Sequence, residues 1–271
     1  MDIEEKTNNI DPTKIEAVIT SKTKAILVVH IFGQAADMDP IMNIAKKHNL
    51  LIIEDACESV CAKYKGKTVG TFGQSSVFAF YPNKQMTTGE GGMVCTNDKN
   101  VYEYCKSLRN QGREGMEWLD HKYLGYNYRL DEMSAAVGIA QLEKIDWFIK
   151  ERQKIADWYS KEFLKFPNLV KLPIVADTNT HTWFVYVVEL VNSILERKEV
   201  ILRLRDVGIA SKEYLPSIHL SQVYKERFGY VGGEFPISEM VSSRSLALPF
   251  YIGLTEDDIK NVVMSLVKIL S

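Results

Sequence analysis

Two short apolar runs, separated by one helix-length segment, constrain this chain more than any other feature of its sequence. Residues 24–32, KAILVVHIF, are apolar almost throughout, the pattern of a strand buried on both faces. Gly33 ends the run. Asp39 and Pro40 then open an amphipathic segment with Ile41, Ile44 and Ala45 on one face. Lys46, Lys47 and His48 stand at its end, where cations complement the carbonyl terminus of a helix. Residues 50–54, LLIIE, form the second run. A strand, a helix and a strand at this spacing make a crossover unit, so the two strands are parallel and the chain is α/β.

Asp55 follows directly on the second run. In open α/β sheets ligands bind beyond the carboxyl ends of parallel strands. A carboxylate at that point is either a helix N-cap or the partner of a cationic ligand atom. After the turn-rich YKGKTVGTFG comes a β-favouring run, Val77 to Tyr81. A Pro82-Asn83 turn delivers Lys84, a polar glycine-rich loop spans 87–92, and a further apolar run covers Met93 to Thr96. Lys84 is either a solvated lysine on a surface hairpin or an amine held for condensation with an aldehyde. Neighbouring strands that offer an acid and an amine at one edge supply what pyridoxal phosphate requires. The carboxylate keeps the pyridine nitrogen protonated, and the lysine holds the aldehyde as an imine and later shuttles protons.

The remaining elements follow from punctuation. Asp11 and Pro12 predict a short helix over 11–20. Residues 98–112 read as a helix closed by Gly112, and 113–130 as an irregular loop long enough to be functional or interfacial. From Asp131 one long helix is expected, reaching about Lys165, with Ala135, Ala136, Gly138 and Ala140 permitting close packing. These boundaries predict a large domain over 1–140. Over 141–271 a connecting helix leads into a smaller α+β domain. In the latter, 181–190 reads as a strand, 194–208 as a helix ended by Gly208, 210–216 as extended, and 254–270 as a closing helix capped by Thr255. His181 and His219 are either ligand contacts or satisfied structural residues.

With 33 Lys and Arg against 35 Asp and Glu and no charged block, the composition excludes a dedicated nucleic-acid or membrane-surface protein. The acidic, polar start MDIEEKTNNIDP is no secretory signal. Cys57, Cys61, Cys95 and Cys105 lack CxxC spacing and read as reduced, mostly buried residues of a cytoplasmic protein. Cys57 and Cys61 would face each other if on a helix, but further metal ligands are missing nearby, so no metal site is expected.

The ordered set VHIFGQAADMDPI (29–41), IIEDACES (52–59), VFAFYPNKQMTTGEGGMVCTND (77–98), GYNYRLDEMSAAVG (125–138), EYLPSIHL (213–220) and RSLALPFYIGLTEDDI (244–259) resembles the DegT-type sugar aminotransferases. The resemblance runs through the whole chain. It implies the aspartate-aminotransferase-like fold, pyridoxal-phosphate fold type I. It further implies transfer of an amino group from an amino acid, glutamate foremost, to a nucleotide-linked keto-sugar for surface polysaccharide or amino-sugar synthesis. Lys84 matches the lysine that binds pyridoxal 5'-phosphate, and Asp55 the partner of its ring nitrogen. Glu58 stands where many members carry a glutamine near the ring. Asn127 matches an asparagine that reaches the cofactor phosphate of the neighbouring subunit, which implies a homodimer with shared sites. Tyr214 and His219 lie in the motif expected to meet substrate. A lysine at 84 argues against the dehydratase branch, which lacks it.

The sequence departs from the family pattern in places. Ala79 stands where a serine commonly donates to the phosphate, Gln74 where aspartate is common, and no proline follows His219. The resemblance also implies a segment before residue 1, with a phosphate-binding helix N-terminus and an aromatic residue stacked on the cofactor ring. Residues 1–10 hold no counterpart. The chain is therefore expected to be a fragment of a longer enzyme, to be completed by a second polypeptide, or to be a truncated non-catalytic relative acting as an interaction or regulatory subunit. A pyridoxal enzyme of another outcome, such as elimination, is a further reading.

Overall fold

The computed structural model of this 271-residue chain describes every residue except 116–119 and 192. Residues 11–20 form two 3-10 turns, Pro12–Lys14 and Glu16–Val18, rather than the expected helix. Asp11 nevertheless caps them, accepting from the Thr13 amide at 2.9 Å. Ile15, between the two turns, is buried in the core.

Strand β1 (Ala25–Val29), helix α1 (Met38–Lys47) and strand β2 (Leu51–Asp55) form the anticipated crossover, with β1 and β2 parallel and Val29 opposite Asp55. A small hairpin, β3 (Lys63–Tyr64) and β4 (Lys67–Thr68), precedes β5 (Ser75–Ala79), which pairs parallel to β2. Strand β6 (Gly92–Thr96) returns antiparallel to β5, giving the sheet order β1-β2-β5-β6.

Burial of these strands on both faces is not found. Ile26, Val28 and Ile52 point into a core with Ile15, Met38, Ile41 and Ala45, whereas Leu27 is 58% exposed and Leu51 52%. The pleat sends successive side chains to opposite faces, and α1 with the preceding turns covers one of them. Nor do residues 56–62 form a helix on which Cys57 and Cys61 face each other; they run through turns, with Cys61 at φ 62°. Cys95 is exposed and the other three cysteines are half-buried, short of the burial expected.

Helix α2 (Lys99–Leu108) is capped by Asp98. The expected irregular segment 113–130 lies partly outside the described residues; around it, Asn110 bridges Asn127 and Arg113 bridges His121. The single long helix expected from Asp131 is two: α3 (Glu132–Leu142) and α4 (Ile145–Phe163). Between them Lys144 leaves helical geometry (φ −103°, ψ 0°). Ile145, at the start of α4, packs with Val60 and Met86, while Ile155, Tyr159 and Phe163 further along the same helix enter a second core.

That second core lies beneath the antiparallel sheet β10-β11-β9-β7. Its strands and helices run in order β7 (Val170–Lys171), β8 (Asn179–Thr180), β9 (Tyr186–Leu190), α5 (Arg197–Asp206), β10 (Lys212–Glu213), α6 (Gln222–Phe228), α7 (Pro236–Arg244), β11 (Ser245–Leu248) and α8 (Glu256–Leu270). Thr255 and Asp258 form a reciprocal capping box at α8. Strand β8 belongs elsewhere: it pairs with β3 and ties the second half of the chain to the first. The expected strand at 181 begins only at Tyr186, because 182–184 run along Phe32 and Gly33 instead. The Thr182 amide donates to the Gly33 carbonyl at 2.8 Å, and that of Phe184 to the Phe32 carbonyl at 3.0 Å. Among the described residues no helix is long and apolar enough to cross a membrane.

Candidate active site

Lys84 is placed by the turn that leaves β5. Its amide donates to the Tyr81 carbonyl at 2.9 Å, and the amides of Phe80 and Thr88 close the returning loop through Gly91 and Phe80 carbonyls at 2.9 and 3.0 Å. Gly91 sits at φ 156°, where an added Cβ would lie 2.4 Å from Thr88 Oγ1, so the loop admits no side chain there. The result is a lysine side chain only 13% exposed, with Nζ 3.7 Å from Glu58 Oε1 and 4.3 Å from the centroid of the Phe184 ring. The solvated-hairpin reading of Lys84 does not hold.

Asp55 ends β2, half-buried. Its Oδ1 accepts from the Cys57 amide at 3.1 Å, a turn-capping bond that leaves Oδ2 free of any described hydrogen bond. Asp55 thus caps a turn rather than the helix N-terminus read as one alternative. Burial, and then Asp55, push the Cys57 thiol up to about 12, which removes it as a nucleophile near neutral pH. Glu58 follows one turn later. Its Oε2 accepts from the Phe32 amide at 3.0 Å and its Oε1 from the Tyr214 hydroxyl at 3.1 Å. Burial pushes the Glu58 carboxyl up; the Phe32 amide, Lys84 and Tyr214 pull against burial without cancelling it. Tyr214 is itself pushed up, by burial first and by Glu58 second.

Asp55, Glu58, Lys84, Tyr214 and His219 line one cavity of about 740 Å³, a size that suits a small-molecule ligand. Five of the six residues singled out from the sequence thus converge. Asn127 does not: it is exposed, bridged to Asn110, and absent from the cavity wall. His219 Nε2 lies 2.9 Å from Glu239 Oε1, with the Phe235 ring edge-on at 4.6 Å. Glu234 and Glu239 stand close enough to His219 to resemble a metal triad. Their carboxylates, however, already accept from the amides of Val231, Gly232, Gly233 and Phe235 and serve as loop caps. His181 is a core residue whose Nδ1 accepts from the Trp183 amide at 2.9 Å.

Three contributors to the site were missed from sequence. Phe184 reads as one more apolar strand residue, and nothing local marks it as the ring beneath a lysine. Phe32, at φ 59°, offers its amide to Glu58. Glu54 did carry a signal, a carboxylate inside an apolar run. It is fully buried and accepts from Gly70 at 2.6 Å, from Phe72 and Gly73 at 2.7 Å each, and faces His30 Nε2 at 3.1 Å. Burial works to raise its carboxyl, but His30 and the glycine amides outweigh it and hold the group below the usual range. Glu54 thereby pins the 70–73 turn and the end of β2 that carries Asp55.

The profile of the DegT/DnrJ/EryC1/StrS aminotransferase family matches residues 1–267. The GDP-perosamine synthase of Caulobacter vibrioides is 39% identical over 271 residues, which are 100% of this chain and 72% of that protein. A DegT DnrJ EryC1 StrS aminotransferase from Brucella abortus has the same fold, with a TM-score of 0.88 at 30% identity over 100% of this chain and 73% of its own. So does the E. coli GDP-4-keto-6-deoxy-D-mannose-3-dehydratase with bound hydrated PLP, with a TM-score of 0.86 at 26% identity over 98% and 73%.

Proposed function

This chain belongs to the DegT/DnrJ/EryC1/StrS aminotransferase family, whose enzymes depend on pyridoxal phosphate, and from that premise we propose that it aminates a nucleotide-linked keto-sugar. Glutamate is the proposed donor, and the aminated sugar is destined for surface polysaccharide. The observation that carries the reading is the convergence of Lys84, Asp55 and Glu58 on one cavity wall.

These residues fit the cofactor by their chemistry. Lys84 offers the only lysine amine among the described residues of the cavity wall, and Asp55 a carboxylate at the sheet's carboxyl edge with an oxygen to spare. Pyridoxal phosphate, when bound, supplies an aldehyde that accepts an amine and a ring that stores an electron pair. Asp55 would hold a proton on the ring nitrogen, and Lys84 Nζ would hold the group at its aldehyde carbon and, as a free amine, would move a proton at the carbon bearing the transferred amine. Glu58 and the Phe184 ring would hold Nζ in place whenever it carries a proton, the ring through its negative face. Tyr214, hydrogen-bonded to Glu58, and His219 line the same cavity and are proposed as substrate contacts.

We assign the phosphate contact to Asn127 of a second copy, because in its own chain Asn127 lies away from the cavity. The functional unit is then a homodimer. Two separate apolar cores, one drawn from residues before α3 and one from residues after it, support division into domains over 1–140 and 141–271. Four free cysteines agree with a cytoplasmic enzyme.

Titration of the purified chain with pyridoxal phosphate, followed by borohydride reduction and peptide mapping, tests the reading. We expect an imine absorbance band and a label on Lys84. Lys84→Ala loses both, together with all amino transfer from glutamate to nucleotide-linked keto-sugars. No band, or labels scattered over surface lysines, would instead favour the non-catalytic relative.

A further inference from the structure

On the reading of Lys84 as the cofactor-holding amine, a neighbour outside the chemistry keeps that amine in place. Gln85 is 3% exposed and is not among the residues lining the cavity. Its Nε2 donates to the Glu58 carbonyl at 2.5 Å and to Thr182 Oγ1 at 3.2 Å. Thr182 is fully buried, and its own amide is bound to the Gly33 carbonyl at 2.8 Å. One side-chain amide therefore joins three segments: the lysine turn, the stretch after β2, and residues 182–184 from the second half of the chain.

Those are the segments that furnish the surroundings of Lys84. Glu58 supplies the carboxylate 3.7 Å from Nζ, and Phe184, two residues past Thr182, supplies the ring 4.3 Å away. The turn's own backbone bond, from the Lys84 amide to Tyr81, is local and fixes neither distance. Among the described residues the hydrogen bonds of Gln85 are the ones that connect residues 81–86 to both Glu58 and the 182–184 segment.

The other end of the same amide has no partner: Gln85 Oε1 is buried without a hydrogen bond. A buried acceptor left empty costs about 1–3 kcal/mol, which offsets much of what the two hydrogen bonds of Nε2 contribute to stability. We propose that Gln85 is a positioning residue, acting through Lys84: it locks the lysine turn to Glu58 and Thr182 so that Nζ stays between the Glu58 carboxylate and the Phe184 ring.

The role predicts a small effect on one measurement and a large effect on another in the same variant. Gln85→Leu keeps the volume and removes both the two hydrogen bonds and the empty acceptor. Its thermal midpoint is expected to fall only slightly, because removing the empty acceptor offsets leaving the Glu58 carbonyl without its donor. Borohydride-trapped labelling of Lys84 by pyridoxal phosphate is expected to fall about tenfold, within the loss that misplacing a reacting group produces. Thr182→Val should show the same fall, the double variant no more than either single one, and Thr182→Ser should retain the label. A Gln85→Leu chain that labels Lys84 as fully as the parent overturns the positioning role alone. So does one that loses thermal stability in step with its label, since that is the mark of a purely structural residue. A parent chain that takes no label at Lys84 overturns the underlying reading of the lysine instead.

Discussion

Among single residues, His181 shows how burial sets a titration. It is enclosed beside Trp183, ring centroids 4.0 Å apart, and burial pushes its pKa down from 6.5 to about 3. The unfolded chain thus binds a proton between pH 6.5 and 3 that the folded chain refuses. Stability is full above pH 6.5 and is lost as pH falls through that window, by up to about 1.4 kcal/mol per unit. Thermal melts from pH 7 to 5 should show this acid-side slope. His181→Asn, which retains an acceptor for the Trp183 amide, should flatten it. Lys84 and Asp55 were legible at this scale because their residue types and places at strand ends carry chemical meaning. Phe184 was not, since an aromatic residue in an apolar run looks the same whether it fills a core or lies under an amine.

At the scale of elements, the short ladder between Phe32–Gly33 and 182–184 joins the two halves next to the cavity. Gly33 is at φ 105°, and a Cβ there would lie 2.6 Å from the Trp183 nitrogen and 2.9 Å from that of Phe184. Backbone atoms give way only by breaking the ladder. Gly33→Ala is therefore expected to cost about 3 kcal/mol in denaturant unfolding, a loss much larger than the roughly 1 kcal/mol typical of a lost helix cap such as Thr255. Arg152 supports the same ladder from α4, with Nη1 3.0 Å from the Trp183 carbonyl and 3.2 Å from that of Phe184. The strand read at 181–190 was half right for this reason. Its first residues have the composition of a strand, but their hydrogen bonds go to Phe32 and Gly33.

Across the whole molecule, apolar side chains are unevenly covered. Met133, Val137, Ile139 and Leu142 on α3 and Leu124, Tyr126 and Tyr128 in the loop before it are exposed, an accumulation of bare apolar side chains within one short stretch of the kind found at protein–protein contacts. Asn127 lies among them. The homodimer proposed above would cover apolar side chains of this segment and deliver its Asn127 to the cavity of the other copy. Sedimentation velocity should find a dimer at micromolar concentration. Ile139→Glu should shift it toward monomer and weaken pyridoxal phosphate binding together. A monomeric parent with unchanged cofactor affinity would count against the shared site.

What the sequence determined by itself was local or periodic. The crossover of β1, α1 and β2 follows from apolar runs and spacing, the caps at Asp11 and Thr255 from short polar side chains beside helix starts, and the acid and amine from their positions at strand ends. What tertiary structure decided depended on packing between distant segments. It exposed one face of β1 and β2, broke the long helix at Lys144, and drew 182–184 away from β9. Above all it set the ring of Phe184 and the amide of Gln85 around Lys84. A side chain's residue type travels with the sequence, but its neighbours from a hundred residues away are fixed only when both cores close.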